Sequence, residues 1–168
     1  MGYKYAIRPY LFDSISLNTT ERIIDDLLNE EYGLIVFFTD YDTIVNQSNQ
    51  VAFNQFQTKY ANHRNVLICE SMPSIEYWFL LHFVMTTKEY VNADQVMVDL
   101  RNHIPEFGKN IRFLEKSDWL QELSNKKRLD TALVNAQKGL MQKDSDNVGS
   151  HFPFTKVHLA INAFENDK

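Results

Sequence analysis

The chain has 168 residues, which is enough for one domain with a substantial core and too few for two. Its hydrophobic and charged fractions, 44% and 23%, are those of an ordinary globular protein. A formal net charge of -5 excludes a protein that holds nucleic acid by its overall field. Any nucleic-acid role must therefore depend on a local patch or on a bound cation.

The single cysteine and the short apolar runs indicate the cellular compartment of the protein. Cys69 lies in the apolar run NVLICE, where we expect a buried thiol, and one cysteine cannot form an internal disulfide. No signal peptide is visible, and the longest apolar run, YWFLLHFVM, is too short to cross a bilayer. We therefore expect a cytoplasmic protein without membrane association.

Strand and helix patterns alternate along the first 70 residues. We predict strands at 3–9, 32–39 and 65–70, separated by helices at 18–31 and 48–64. The run YGLIVFFT is almost wholly apolar, which is typical of a strand covered on both faces. The alternation predicts an α/β fold in which right-handed crossovers connect the strands of a parallel sheet.

The pattern becomes mostly helical after Pro73. We predict helices at 74–83, 92–104, 117–143 (in two pieces) and 155–164, with loops at 104–110 and 144–154. The sequence contains no linker, so we expect a single domain over 1–168. Its α/β core would span 1–73, and the helical continuation at 74–168 would pack on the sheet.

Two carboxylates follow the apolar strand predicted at 32–39. Asp40 and Asp42 are two residues apart, so in an extended segment their side chains would point the same way. Ligands of parallel sheets gather beyond the carboxyl ends of the strands. Two hard oxygen ligands with water suit Mg²⁺ or Mn²⁺, so we predict a metal site there. Alternatively, both aspartates cap a turn.

Glu76 lies in an otherwise apolar segment, and Ser71 follows the strand predicted at 65–70. A carboxylate is seldom placed in such surroundings without a partner. We predict that Glu76 faces the same crevice as the aspartates and takes part in catalysis. The alternative is an acid that interacts with the positive end of its own helix.

His82, Lys109 and Ser71 are the candidate substrate contacts. Lys109 follows a glycine in a predicted loop, from which its side chain could reach a phosphate. A lone histidine in an apolar helix, such as His82, is more often a hydrogen-bonded core residue than a catalyst. The basic cluster NKKR at 125–128 is typical of a solvated helix end.

The motif DYD at 40–42 and the later segment ESMPSIEYWFLLHF together resemble the RloB-like family. That family has an Asp-x-Asp of the Toprim type followed by Ser-x-Pro-x-x-Glu-x-Trp-x-Leu-Leu-His-Phe. The matching residues of the second motif are Ser71, Pro73, Glu76, Trp78, Leu80, Leu81, His82 and Phe83. The stretches FGKN, ALVNAQKGL and FPFTKVHLAINAF are similar to the family's C-terminal pattern.

The resemblance implies a Toprim-like sheet in a protein associated with restriction, abortive infection and phage defence. Toprim domains act on phosphodiesters with Mg²⁺, held by an Asp-x-Asp that corresponds to Asp40 and Asp42. The expected activity is that of a nuclease or phosphotransferase on DNA or RNA, with a protein partner in a defence complex.

The family also places an acid/base glutamate at the end of a first strand, which we expect this sequence to lack. The strand predicted at 3–9 would then be the second strand of the family's fold. Glu70 and Glu76 are the candidate substitutes for the missing acid.

Two other functions fit the residues. The segment IVFFTDYDT is similar to the first motif of haloacid-dehalogenase phosphatases, where Asp40 would be the nucleophile, Asp42 the general acid and Ser71 a phosphate contact. An incomplete Toprim fold could instead be a non-catalytic binding or regulatory subunit.

Overall fold

The computed structural model describes residues 16–116, 118–145, 149 and 151–166. The strands are β1 Ile35–Asp40, β2 Val66–Met72 and β3 Phe154–Thr155. The helices are α1 Leu17–Asn29, α2 Tyr41–Asn46, α3 Gln50–Tyr60, α4 Glu76–Leu80, α5 Ala93–Leu100, α6 Ile111–Leu114, α7 Asp118–Ser124, α8 Lys126–Ser145 and α9 Val157–Asn166. The strand predicted at 3–9 lies outside the described residues.

The sheet is mixed, and β2 lies between its two partners. β1 pairs with β2 in parallel, with Asp40 opposite Ser71 at the carboxyl end. β3 pairs with β2 in the antiparallel direction, and it places Thr155 opposite Ser71. The predicted α/β class is confirmed, because helices flank a sheet that contains a parallel pair joined through helices α2 and α3. Within the described residues, β2 rather than β1 is the middle strand.

One face of the sheet carries the first apolar cluster. Side chains two apart in a strand share a face, so Ile35 and Phe37 of β1 point toward the same helices. They pack with Ile24 of α1 and with Phe53 and Phe56 of α3. The helices predicted at 18–31 and 48–64 therefore correspond to α1 and α3. In α3 the buried stripe is Phe53, Phe56 and Tyr60. The expectation from the sequence that Val51 and Ala52 share it with Phe56 and Tyr60 is wrong, because both Val51 and Ala52 are exposed.

A second apolar cluster is made by the helices that follow Pro73. Tyr77, Trp78 and Leu80 of α4 are buried with Val96 of α5 and Ala136 of α8. The predicted buried helix at 74–83 is confirmed as a buried segment. Its α-helical part is shorter, however, because only Glu76–Leu80 is regular and turns follow it.

The polar loop predicted at 144–154 is wrong at both ends. Helix α8 continues to Ser145, and Phe154 begins β3. Thr155, predicted to begin the last helix, belongs to that strand, and α9 begins at Val157. A two-residue strand is too short to show a periodic pattern, whereas the buried partner that defines it is 84 residues away. None of the helices in the described part of the chain is long and apolar enough to cross a membrane.

Candidate functional site

Asp40 and Asp42 lie on either side of a change from strand to helix. Asp40 is the last residue of β1, and Asp42 is in the first turn of α2. The expectation that both side chains project from one extended segment is therefore wrong for Asp42. Helix α2 begins directly at Tyr41, which packs against Phe53 and Phe154. These ring contacts fix the turn that carries Asp42.

Asp40 has a partly desolvated carboxylate. Its Oδ1 accepts a hydrogen bond from the backbone N–H of Ile75 at 2.9 Å. Burial raises the pKa of Asp40 to about 6, the Ile75 N–H partly opposes this rise, and the charge of Glu76 adds to it. Ionisation of Asp40 at the end of β1 is therefore unfavourable unless a nearby cation stabilises the charged form.

Asp42 is joined to the segment that follows β2. Its backbone N–H donates to Pro73 O at 3.1 Å, and its Oδ1 accepts from the Thr43 hydroxyl at 3.3 Å. Burial raises the pKa of Asp42, and the bonds to Thr43 work against that rise. Both aspartates are thereby tied to residues 73–75, the beginning of the segment that carries Glu76.

Glu76 is the most deeply buried acid of the group, with an exposed fraction of 3%. The Ser74 hydroxyl donates to its Oε2 at 2.5 Å, and Lys109 Nζ lies 2.9 Å from its Oε1. The negative charge of Glu76 acts on both Asp40 and Asp42. Glu76 and the two aspartates therefore form one acidic cluster, and the predicted role of Glu76 in catalysis stays a prediction.

Lys109 is the cation of this cluster and comes from the loop between α5 and α6. Burial lowers the pKa of Lys109, but the bond to Glu76 and the charges of Glu76, Asp40 and Asp42 outweigh that effect. The net result is a raised pKa, so the side chain is charged at neutral pH. Half of it is exposed to solvent, from which a substrate phosphate could approach.

Ser71 and His82 have other environments. Ser71 is opposite Asp40 in the parallel register, but its hydroxyl is buried and lies 2.7 Å from the Thr155 hydroxyl. His82 is also buried; its Nδ1 lies 3.0 Å from Trp78 O, and its ring packs edge-on against the Trp78 ring. Burial lowers the pKa of His82. These contacts place His82 in the helical core rather than in the acidic cluster.

The sequence did not reveal the partners of Glu70. This buried acid is paired with Lys156, whose Nζ lies 2.6 Å from its Oε1, and Gln57 donates to the same oxygen at 3.0 Å. Glu70 is opposite Thr39 in the sheet, whereas Ser71 is opposite Asp40. Consecutive side chains of a strand point to opposite faces, so Glu70 points away from the face of Asp40. Lys156 reaches Glu70 because it directly follows β3, which pairs with β2. The sequence pattern did not predict β3, so it did not predict this ion pair.

The acidic cluster suits a cation site in which two carboxylates bind the ion and water or substrate completes its shell. In the part of the chain that the structure describes, no three or more His, Cys, Asp or Glu side chains form a group that could hold a metal ion. Asp40 and Asp42 nevertheless offer hard carboxylate oxygens in a partly desolvated, negatively charged setting. Mg²⁺ commonly takes only one or two carboxylates and completes its shell with water and substrate phosphates. The residues present fit that kind of binding.

Comparison with known proteins assigns the chain to a family. No curated protein and no solved structure matches it. The model of a family described as "RloB-like protein" matches residues 13–164, which is most of the chain. This range includes the acidic cluster, the helical core and strand β3. The chain therefore belongs to the RloB-like protein family.

Proposed function

We propose that this chain is a Mg²⁺- or Mn²⁺-dependent phosphodiesterase or phosphotransferase of the Toprim type. Its substrate would be the backbone of DNA or RNA, and it would act with a protein partner in a cytoplasmic defence system. Membership of the RloB-like family supports the proposal. The observation that carries it is the convergence of Asp40, Asp42, Glu76 and Lys109 at the carboxyl end of β1.

Asp40 and Asp42 are the residues that would hold the cation. When bound, a divalent cation would neutralise charge on phosphoryl oxygens during attack on a phosphodiester. The chain supplies the preorganised part of this environment. The Ile75 N–H and the Thr43 hydroxyl orient the two aspartates, and partial burial strengthens their attraction for a cation.

Lys109 would contact a non-bridging oxygen of the substrate phosphate. A lysine acts on phosphate as a point charge, so it needs only approximate placement near the phosphoryl group. Glu76, predicted from the sequence as catalytic, would position this lysine: its buried carboxylate is fixed by Ser74 and holds Nζ at 2.9 Å.

The test is metal-dependent turnover. The full chain would be incubated with fluorescently labelled single-stranded DNA, the corresponding RNA, and bis-p-nitrophenyl phosphate, in Mg²⁺, in Mn²⁺ and in EDTA. The double variant Asp40→Asn with Asp42→Asn should lose turnover at least about a hundredfold, as expected when preorganised charge stabilisation is removed. Asp94→Asn is a matched control, because Asp94 is an exposed acid in the first turn of α5.

The proposal fails if the wild type shows no metal-dependent cleavage, or if the double variant cleaves as fast as the wild type. A signal that Asp94→Asn also lowers would indicate a contaminating nuclease or a general loss of fold.

A non-catalytic binding or regulatory subunit is the second candidate. One observation favours it: Asp40 already accepts the Ile75 N–H, and Glu76 already has Lys109 and Ser74 as partners. Acids of this kind can serve only to join chain segments. In that case Mn²⁺ should change the thermal stability of neither the wild type nor the Asn double variant.

A further inference from the structure

The acidic cluster contains its own cation. Lys109 Nζ lies 2.9 Å from Glu76 Oε1, and its charge acts on Asp40 and Asp42 as well. With all four groups ionised, one positive charge is set among three negative ones. The lysine therefore partly neutralises the field that would attract a divalent cation.

The two members of the ion pair differ in their freedom to move. The Glu76 side chain is 4% exposed and is also held by the Ser74 hydroxyl. The Lys109 side chain is 50% exposed and belongs to a loop residue that follows Gly108. The carboxylate is thus fixed in the interior, and the lysine covers it from the solvent side. The charge of Lys109 acts on both Asp40 and Asp42, so it would also act on a cation held by these aspartates.

We propose that Lys109, held by Glu76, is a built-in counter-ion that competes with a divalent cation for Asp40 and Asp42. This inference rests on the proposed function, because it concerns the same metal site. In the metal-free protein, Lys109 stabilises the three acids. When the divalent cation binds, the lysine must either move toward solvent or remain and repel the ion. In both cases its charge lowers the affinity for the metal.

The experiment measures Mn²⁺ binding to the full chain by isothermal titration calorimetry and by the Mn²⁺ electron paramagnetic resonance signal. Four proteins are compared: the wild type, Lys109→Met, Lys109→Arg and Lys116→Met. Lys116 is a matched control, because it forms an exposed ion pair with Glu106 just beyond the same loop. Circular dichroism and tryptophan fluorescence check that each protein is folded.

Lys109→Met should bind Mn²⁺ about tenfold more tightly than the wild type, as removal of one nearby positive charge in a partly screened site allows. Lys109→Arg keeps the charge and should remain close to the wild type, as should Lys116→Met. If Lys109→Met does not fold, Lys109→Gln takes its place, because the amide of glutamine can still donate to Glu76.

Equal or weaker Mn²⁺ binding by the uncharged variants, with measurable binding by the wild type, overturns the inference and leaves the metal site intact. Binding by an uncharged variant but not by the wild type supports the competition in its strongest form. No binding by any of the proteins overturns the metal site, and the inference with it.

Discussion

Lys109 Nζ lies 2.9 Å from Glu76 Oε1, and the lysine is half exposed whereas the glutamate side chain is 4% exposed. Because the glutamate is buried, removing the lysine alone should lower the free energy of unfolding more than removing both charges. Lys109→Met leaves the buried carboxylate with Ser74 as its one side-chain partner among the described residues. We expect a loss of roughly 1–3 kcal/mol, since the exposure of the lysine limits the effect. Adding Glu76→Gln to Lys109→Met should recover most of that loss, because the buried charge is gone.

Urea melts in EDTA measure this double-mutant cycle. Lys116→Met, which breaks an exposed ion pair, should leave stability almost unchanged. A double variant that is less stable than Lys109→Met alone would contradict the expectation.

Asp40 should make stability depend on pH in an unusual direction. Burial raises the pKa of this carboxyl from 3.8 to about 6 in the folded protein. A raised folded-state pKa means that the charged form opposes folding, so the penalty is present above pH 6 and disappears as the pH falls from about 6 toward 3.8. Relative to Asp40→Asn, the wild type should gain roughly 1–3 kcal/mol between neutral pH and pH 4.

The comparison with Asp40→Asn is essential, because salt-bridged acids such as Asp25 and Asp99 have lowered pKa values and act in the opposite direction. Their hydrogen bonds to Lys59 and Lys88 are present in both proteins, so their contributions cancel in the difference. Chemical denaturation in EDTA over this pH range measures it. A difference that stays constant with pH would show that Asp40 is not desolvated in solution.

Trp78 should be a major contributor to the stability of the helical half. Its side chain is 5% exposed, and it packs against His82 within the second cluster. Trp78→Ala should cost about 3–5 kcal/mol, as the truncation of large buried aromatic residues does. Leu120→Ala, at a position that is 47% exposed, should cost much less. A change below about 1 kcal/mol for Trp78→Ala in urea melts would mean that the core collapses around the missing ring.

Tyr60 joins helices α1 and α3 through its hydroxyl. The hydroxyl oxygen lies 2.7 Å from Asp25 Oδ1 and 3.1 Å from Glu21 O. Tyr60→Phe should destabilise the fold by about 1 kcal/mol, and the loss should persist in 1 M salt because a short hydrogen bond is little screened. Lys59→Met, which removes an exposed lysine from the same acids, should have an effect that salt abolishes. If salt changed the stability loss of Tyr60→Phe and of Lys59→Met equally, the distinction between a hydrogen bond and an exposed ion pair would be contradicted.

The sequence predicted those parts of the fold and site that depend on local pattern. Apolar periodicity located α1, β1, α3 and β2, and the isolation of Glu76 in an apolar segment indicated that it needs a partner. Helix α2 was missed because its six residues contain one buried side chain, Ile44, which is too little for a periodic signal. Lys109 was recognised as a candidate substrate contact. Its pairing with Glu76 could not be predicted, because the two residues are 33 positions apart and meet only through the packing of the loop that carries Lys109.

The positions of Ser71 and His82 in the structure could not be predicted from the sequence. Both belong to a motif that the resemblance marks as characteristic, and sequence alone does not separate substrate contact from packing. The structure gives Ser71 the hydroxyl of Thr155 and gives His82 the carbonyl of Trp78. Their assignment as substrate contacts stays a prediction.

Strand β3 has a consequence for how the chain acquires its fold. Ser71 and Thr155, joined by a hydrogen bond, are 84 positions apart, so this edge of β2 is completed only when residues 154–155 are available. During synthesis, β1 and β2 would leave the ribosome long before β3, and β2 would present an unpaired edge in the meantime. We therefore expect folding to be limited by this distant closure rather than by formation of the local helices. Truncation before residue 151 should then yield an aggregation-prone fragment instead of a smaller domain.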